Sequence, residues 1–264
     1  MTNAIILAAG RGSRLGDMTE DMPKCRVRLG GSPLIERQIA TYRRVGIDDV
    51  TIVTGYRADM LRFDGIRNAH NPAWETTNMV ATLFCAQEAF GDDFIVSYSD
   101  IVYEDRVLRA LLDAPGDISV IVDRKWRPYW EIRFENPLDD AESLALDAEG
   151  CITDIGRRVS DIDLIQAQYI GLIRFRGEGV GVLRDIGTSL GKMRRDWMDR
   201  RPIENAYMTD LLMEMILRGH RVRAVPIDGG WLEIDTPLDH ALGEALFSGE
   251  RSMPWFSPAG VAAP

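Results

Sequence analysis

Short apolar runs alternate with amphipathic segments in the first half of the chain. Buried strands are predicted for the runs at 4–6, 50–53, 94–98 and 118–122. Between them, apolar residues at helical spacing predict helices over 35–45, 79–90 and 106–112. This alternation is typical of an α/β fold, in which crossover helices join the strands of a parallel sheet.

The pattern changes between 124 and 176, where helix-length segments disappear. Short strands are predicted at 130–134, 143–146, 152–155 and 169–175, with a hairpin turn at 147–150. Farther on, the pattern predicts helices over 177–190, 205–217 and 237–247, a strand at 222–225 and a polar connector over 191–203. We therefore predict one domain over 1–264, with a mainly antiparallel insert over about 124–176 that forms a lid on the sheet.

Two glycines follow the first apolar run. Gly10 and Gly12 have no Cβ, so the backbone there can turn sharply and a ligand can approach its N–H groups. With Arg11, Arg14 and Lys24 nearby, such a turn suits a triphosphate. The chain lacks the mononucleotide P-loop string, and the third glycine of the dinucleotide loop is not at its required place. A lone Gly-x-Gly pair is also typical of an ordinary strand-to-helix turn.

The longer string from Leu7 to Lys24 resembles the signature of the nucleotidyltransferases that join an NTP to a phosphorylated small molecule. The pattern Leu-Ala-Ala-Gly-x-Gly-x-Arg-Leu occupies 7–15, and Pro23-Lys24 follows it. The resemblance implies a Rossmann-like, doubly wound and mainly parallel sheet of the GT-A-like kind. It also implies that a phosphate or phosphonate oxygen attacks the α-phosphorus of the NTP, with Lys24 and Arg14 as catalytic residues and pyrophosphate as leaving group.

The resemblance also implies which residues bind the nucleotide. They are Leu7, Ala8, Ala9, Gly10, Arg11, Gly12, Ser13, Gly55, Tyr56, Asn78 and Ser99. Ala8, Ala9, Gly55 and Tyr56 correspond to the family's base and ribose positions. Asn78 also stands where it would cap the helix predicted after it, and the sequence leaves both roles open.

Two aspartates coincide with the Mg²⁺-binding aspartates of that family. Asp100 follows a predicted strand, and ligands of open parallel sheets bind beyond the carboxyl ends of the strands. Asp235 lies in the later stretch Gly230–Pro237. The resemblance therefore implies Mg²⁺ as the cofactor, although this chain has Ser99-Asp100-Ile101 where the family often has Gly-Asp or Asp-x-Asp. A strand-end aspartate is otherwise commonly a turn residue or a helix cap.

Candidate residues for the second substrate lie in the predicted insert. They are Lys125, Trp130, Glu131, Arg133, Gln168 and Tyr169. An aromatic residue with a nearby carboxylate would bind a cationic amine by cation–π attraction. Core packing for Trp130 and solvation of one of the charges are the alternatives.

The loop with Asn71 and Asn78 resembles that of choline-phosphate and phosphonate cytidylyltransferases. It favours CTP and a phosphocholine- or 2-aminoethylphosphonate-like acceptor. One alternative is a sugar-1-phosphate nucleotidylyltransferase that uses UTP, dTTP or GTP. Another is a non-catalytic regulatory module, which is expected to have lost Lys24 or the two aspartates.

Composition limits the partners and the location. The 264 residues include 45% hydrophobic residues, enough for a sizeable core, and the formal net charge is -10. A generally acidic surface argues against nucleic acids and anionic membranes as partners, so we expect the NTP, the acceptor and at most a second copy in a homodimer. The three cysteines and three histidines show no metal-ligand spacing. Since no signal peptide or membrane-spanning run is evident, we expect a cytoplasmic protein.

Overall fold

Seven strands form the central sheet of the computed structural model, which describes residues 1–189 and 203–264. The strands among these residues are β1 (Asn3–Ala8), β2 (Arg28–Leu29), β3 (Ser32–Pro33), β4 (Val50–Thr54), β5 (Arg67–His70), β6 (Asp93–Tyr98), β7 (Ile101–Tyr103), β8 (Ile118–Asp123), β9 (Glu142–Leu146), β10 (Ile152–Arg158), β11 (Gln168–Arg176), β12 (Arg223–Ile227) and β13 (Trp231–Glu233). The α-helices are α1 (Leu34–Arg44), α2 (Met79–Phe84), α3 (Asp105–Asp113), α4 (Trp126–Arg133), α5 (Glu178–Ser189), α6 (Met208–Leu217) and α7 (Pro237–Phe247).

The central sheet is mostly parallel. Its strand order is β12-β8-β11-β6-β1-β4-β5. Strand β1 pairs in parallel with β4 and β6, whereas β11 is antiparallel to both of its neighbours. The predicted doubly wound α/β fold is confirmed, and the carboxyl ends of β1, β4 and β6 lie at one edge of the sheet.

The two faces of the sheet carry separate layers of helices. Ala4 and Ile6 of β1 pack in one hydrophobic cluster with residues of α1, α3, α4 and α7. Ile5 and Leu7 pack in the other with residues of α2, α5 and α6. Because successive side chains of a strand point to opposite faces, a strand buried on both sides reads as a continuous apolar run.

The segment over 124–176 differs from the predicted insert. The strand prediction for 130–134 is wrong, because Trp126, Tyr129 and Trp130 lie at helical spacing and bury one face of α4. Strand β11 is a member of the central sheet, so the antiparallel structure outside that sheet is the hairpin β9–β10, which packs against α6. The single-domain organisation stays a prediction.

Helix α7 begins where the sequence predicts it. Thr236 and Asp239 form a reciprocal capping box, and Pro237 occupies the first turn. The predicted helix over 79–90 is shorter, since α2 ends at Phe84. The predicted connector over 191–203 lies almost wholly outside the described residues. None of the described helices has both the length and the apolar character that crossing a bilayer requires.

Candidate active site

A two-stranded antiparallel ladder brings the two predicted metal-binding aspartates together. Strand β7 begins directly after Asp100, and β13 ends two residues before Asp235. In this ladder Ile101 pairs with Glu233, and the amide of Ile234 donates to the carbonyl of Asp100 at 2.8 Å. Two residues that are 135 positions apart therefore lie side by side at the carboxyl edge of the sheet.

Lys24 lies between these aspartates. Its Nζ is 2.6 Å from Oδ2 of Asp100 and also donates to Oδ1 of Asp235, while Arg14 is 2.5 Å from Oδ2 of Asp235. The Lys24 and Asp235 side chains are only 9% and 5% exposed, whereas that of Arg14 is 64% exposed. Burial lowers the pKa of Lys24, but Asp100, Asp235 and Glu233 together hold that pKa above its ordinary value. Lys24 is therefore a fixed positive charge at the site.

The glycine turn fits closely around Lys24. Gly12 has a φ of +78°, a left-handed conformation that favours glycine, and a Cβ added there would lie 2.5 Å from Cβ of Lys24. A Cβ on Gly10 would meet no atom within 4 Å, because Gly10 faces open space. The two glycines thus serve different purposes, one the packing of Lys24 and the other access to the backbone.

Two buried polar residues hold the aspartate loops in place. Gln38 of α1 donates from Nε2 to the carbonyls of Tyr98 and Ile101, at 2.7 and 2.5 Å, on either side of Asp100. Asp239 of α7 accepts from the amide of Asp235 at 3.1 Å. Neither was predicted as a site residue, because their contacts depend on how the helices pack on the strand ends.

A cavity of about 310 Å³, which we name the turn cavity, opens on the glycine turn. Its lining includes the catalytic candidates Arg14 and Lys24 and both aspartates. The predicted nucleotide-binding residues that line it are Leu7, Ala9, Gly10, Gly12, Ser13, Asn78 and Ser99. Trp74, Thr77, Met79, Thr82 and Tyr98 also line it and were not predicted.

The other predicted nucleotide-binding residues are not among the described lining of the turn cavity. They are Ala8, Arg11, Gly55 and Tyr56. A Cβ on Gly55 would lie 2.6 Å from the Ala9 carbonyl oxygen and 2.6 Å from Cβ of Trp74, so Gly55 allows Trp74 to approach. The Tyr56 ring packs against Trp74, with centroids 5.3 Å apart. Gly55 and Tyr56 therefore support a wall of the cavity. Asn78 lines the cavity and also caps α2, since its Oδ1 accepts from the amide of Met79.

A second cavity, of about 400 Å³, lies beside the β9–β10 hairpin, and we name it the hairpin cavity. It adjoins the turn cavity, since Arg14, Met79 and Tyr98 line both. Of the predicted acceptor-binding residues, Trp130, Gln168 and Tyr169 line it.

Lys125, Glu131 and Arg133 are not among the described residues that line the hairpin cavity. Because 126–133 is helical, Lys125 and Glu131 are exposed, and Glu131 pairs with Arg127 at 3.1 Å. Arg133 is buried and pairs with Glu233 at 2.7 Å and Asp239 at 2.8 Å, so it orders neighbouring acidic residues.

Several charged residues of the hairpin cavity were missed by the sequence analysis. They are Asp139, Asp140, Glu142, Arg158 and Glu233. Burial raises the pKa of Glu233 to about 7, against the lowering effect of Arg133. Glu233 stands two residues before Asp235 at a strand end, a spacing that could have indicated the same side of the chain.

Lys24 and Arg14 pair with both oxygens of Asp235 and with Oδ2 of Asp100, which leaves Oδ1 of Asp100 as the oxygen of this pair open to a hard cation. Asp100 Oδ1 is buried and accepts no hydrogen bond within the described residues. In the same part of the chain no group of three or more His, Cys, Asp or Glu residues could hold a metal ion. Two carboxylates without further protein ligands suit Mg²⁺, which keeps water and phosphate oxygens in its coordination sphere.

The family is decided by the match of residues 4–159 to the MobA-like NTP transferase domain. This chain belongs to that family. It is an enzyme of the nucleotidyltransferase class, as the resemblance of 7–24 implied.

Individual relatives and a solved structure agree with the family. The CTP:phosphoglutamine cytidylyltransferase of Campylobacter jejuni is 38% identical over 249 residues, which are 90% of this chain and 97% of that protein. The choline-phosphate cytidylyltransferase of Streptococcus pneumoniae is 33% identical over 108 residues, 39% of this chain and 46% of that protein. The inositol-1-phosphate CTP transferase of T. maritima superimposes with a TM-score of 0.72 over 94% of this chain and 95% of that one, at 20% identity, and so supports the fold.

Proposed function

We propose that this nucleotidyltransferase transfers CMP from CTP to a small phosphorylated acceptor that carries an amine. A phosphate or phosphonate oxygen of the acceptor attacks the α-phosphorus of CTP. The bond from that phosphorus to the oxygen bridging to the β-phosphate breaks, and pyrophosphate leaves. The product carries CMP on the acceptor phosphate.

The meeting of the two cavities at one charged cluster carries this proposal. Lys24, Asp100 and Asp235 line the turn cavity, Glu233 lines the hairpin cavity, and Arg14 lines both. A triphosphate in the first cavity and a phosphate in the second would therefore face each other across Arg14. A site with two adjoining pockets and fixed charges at their junction suits a transfer between two anions.

The roles of the residues follow from charge. The nucleophile is already an anion, so the reaction needs positioning and positive charge more than a proton acceptor. In the proposal Lys24 and Arg14 donate to phosphate oxygens of the reactants, and the turn with Gly10 exposes its backbone to the triphosphate. Asp100 and Asp235 would hold Mg²⁺, which supplies charge neutralisation to the phosphates when bound.

The choice of CTP and of the acceptor class depends on the relatives and on the hairpin cavity. Both curated relatives described above have names that specify cytidylyl transfer to a phosphorylated compound. Trp130 and Tyr169 line the hairpin cavity together with Asp140. An open aromatic face attracts a cationic amine, and a carboxylate in the same cavity adds to that attraction. Tyr169, which is partly exposed, offers such a face, whereas Trp130 is buried. The three cysteines are free thiols, which suits a reducing compartment, and a cytoplasmic location is part of the proposal.

The test is pyrophosphate release with each of CTP, UTP, dTTP and GTP against phosphoglutamine, phosphocholine, 2-aminoethylphosphonate and glucose 1-phosphate, with and without Mg²⁺. We expect turnover with CTP and an amine-bearing acceptor, and none after chelation of the metal. Turnover with glucose 1-phosphate and another NTP would replace the proposal by sugar-phosphate activation. The absence of turnover with every pair would indicate a regulatory module.

A substitution tests the proposed role of the aspartates. Asp100→Ala should lower kcat by at least about 100-fold, as expected for lost charge stabilisation in the transition state. Exposed Asp48, which precedes β4 at the opposite edge of the sheet, offers a control, and Asp48→Ala should stay within about twofold of wild type. An Asp100→Ala enzyme with nearly full activity would overturn the assigned role.

A further inference from the structure

One cation of the hairpin cavity has a side chain without a partner in the part of the chain that the structure describes. Arg158, the last residue of β10, lines this cavity and is exposed. Within residues 1–189 and 203–264 its side chain makes no hydrogen bond or ion pair. Arg14, the other arginine among the described lining residues, is paired with Asp235. The guanidinium of Arg158 is therefore available to an anionic group of a ligand.

The acceptor phosphate does not fill this role. It must reach the α-phosphorus at the junction of the two cavities, where Arg14 and Tyr98 line both. Arg158 lines the hairpin cavity and is not among the described residues that line the turn cavity. A free arginine at this place suits a second anion at the other end of the acceptor, and its planar fork fits a carboxylate with two parallel hydrogen bonds.

Anionic groups lie beside Arg158. In the β9–β10 ladder Arg158 pairs with Glu142, and Asp139 and Asp140 directly precede that strand. Asp140 accepts from Nε1 of Trp130 at 3.0 Å, which places a carboxylate at the edge of an aromatic ring in the cavity wall. A carboxylate in a cavity wall attracts an ammonium group by charge. The same cavity therefore offers a guanidinium for an anion, from Arg158, and a carboxylate for a cation, from Asp140.

We infer that the acceptor is a phosphorylated amino acid and that Arg158 binds its carboxylate, with Asp140 beside the ammonium group. An amino acid carries both charges on one carbon, which matches this arrangement. A phosphorylated choline or ethanolamine would leave Arg158 unpaired and facing a like charge. The inference rests on the proposed cytidylyl transfer and names its acceptor class.

The first part of the test compares acceptors that differ only by the carboxylate. Two matched pairs are O-phosphoserine with O-phosphoethanolamine, and phosphoglutamine with its decarboxylated counterpart, N-phosphorylated 4-aminobutanamide. With CTP and Mg²⁺, wild-type kcat/KM should be at least about 10-fold higher for the carboxylate-bearing member of whichever pair is used. Equal rates for both members, or preference for the decarboxylated one, would overturn the inference.

The second part uses variants of neighbouring arginines. Arg158→Gln should raise the KM of the carboxylate-bearing acceptor about 10- to 100-fold. Its kcat, and the KM of the decarboxylated acceptor, should change less than about threefold. Arg158→Lys should recover part of the loss, because it keeps the charge without the planar fork. Arg157, exposed, paired with Asp154 and not among the described lining residues, offers the control Arg157→Gln, which should behave as wild type.

The outcomes separate the two proposals. If Arg158→Gln lowers kcat/KM equally for both acceptors of a pair, the proposed role of Arg158 is overturned. Turnover of phosphocholine but of no phosphorylated amino acid would overturn the proposed acceptor class. The proposed cytidylyl transfer would still hold. If no acceptor releases pyrophosphate from CTP, the proposed function itself has failed.

Discussion

The turn cavity and the hairpin cavity are built in different ways. Much of the turn cavity comes from two continuous stretches, Leu7 to Lys24 and Trp74 to Thr82, to which strand-end loops add Asp100 and Asp235. The hairpin cavity takes its walls from elements far apart in the chain, among them α4, the β9–β10 hairpin, β11 and β13.

The difference follows the chemistry that each cavity must recognise. A triphosphate is bound by backbone N–H groups and fixed cations, which a short glycine turn provides locally. An organic head group is recognised by shape and by a few charges, which side chains from several elements must supply together. We therefore expect substitutions in the turn cavity to lower kcat and those in the hairpin cavity to raise the KM of the acceptor.

The largest effect is expected at Lys24. Lys24→Ala removes the cation between Asp100 and Asp235 and should lower kcat by at least about 100-fold in a pyrophosphate-release assay. Since Asp100 loses its cationic partner and Asp235 keeps only Arg14, circular dichroism must show that the variant is folded at the assay temperature. Arg26, two residues after Lys24, pairs with Glu36 at 2.9 Å and offers a control. Arg26→Ala should keep nearly full activity. A folded Lys24→Ala enzyme with a kcat within a few-fold of wild type would contradict the expectation that substitutions in the turn cavity lower kcat.

A smaller effect is expected from displacing Lys24 without removing it. The added methyl group of Gly12→Ala would lie 2.5 Å from Cβ of Lys24 and would strain a backbone with φ of +78°. We expect kcat to fall about 10- to 100-fold, because small displacements of a catalytic group are costly. Gly181 in α5 has nothing within 4 Å of an added Cβ, so Gly181→Ala should leave kcat unchanged. Equal kcat values for Gly12→Ala and Gly181→Ala would show that the close packing of Gly12 against Lys24 is not needed for activity.

In the hairpin cavity the matching test is Asp140→Asn. The amide oxygen can still accept from Nε1 of Trp130, so only the charge is lost. The acceptor KM should rise about 3- to 10-fold, while the KM for CTP and kcat stay within about twofold. Asp154→Asn, in the same hairpin but not among the described lining residues, should change none of these constants. A change in the KM for CTP would mean that the two cavities are not functionally separate.

The smallest effect is expected far from both cavities, at the Asp93–Arg174 pair. Burial raises the pKa of Asp93, but hydrogen bonds from Arg174 and Thr2 outweigh it and hold that pKa below its ordinary value of 3.8. A lowered carboxyl pKa stabilises the fold above the unfolded-state pKa, and the effect disappears as the pH falls through the folded-state value. Asp93→Asn should thus lower the free energy of unfolding by about 1 kcal/mol at pH 7 and by less at pH 3.5, with kcat unchanged. Urea unfolding at the two pH values measures this, and a loss that grows at low pH would show the opposite sign.

Local patterns were enough for the parts of the fold that depend on them. The continuous apolar run of β1 reflects burial on both faces, and the start of α7 reflects the Thr236–Asp239 capping box next to Pro237. The strand predicted at 130–134 failed because the helical spacing begins earlier, at Trp126. With the wrong period, Glu131 was assigned to a pocket from which α4 turns it away, and Lys125, which directly precedes α4, is likewise exposed.

The amino-acid sequence was sufficient for the α/β architecture, the glycine turn with its cations and the nucleotidyltransferase class, because each depends on residues close together in the chain. The packing of distant elements decided the rest. The β7–β13 ladder sets Asp100 beside Asp235, and the hairpin places Arg158 with Asp140 and Trp130 in one cavity. Such contacts arise from the register of strands that are far apart in sequence, and no local spacing encodes that register.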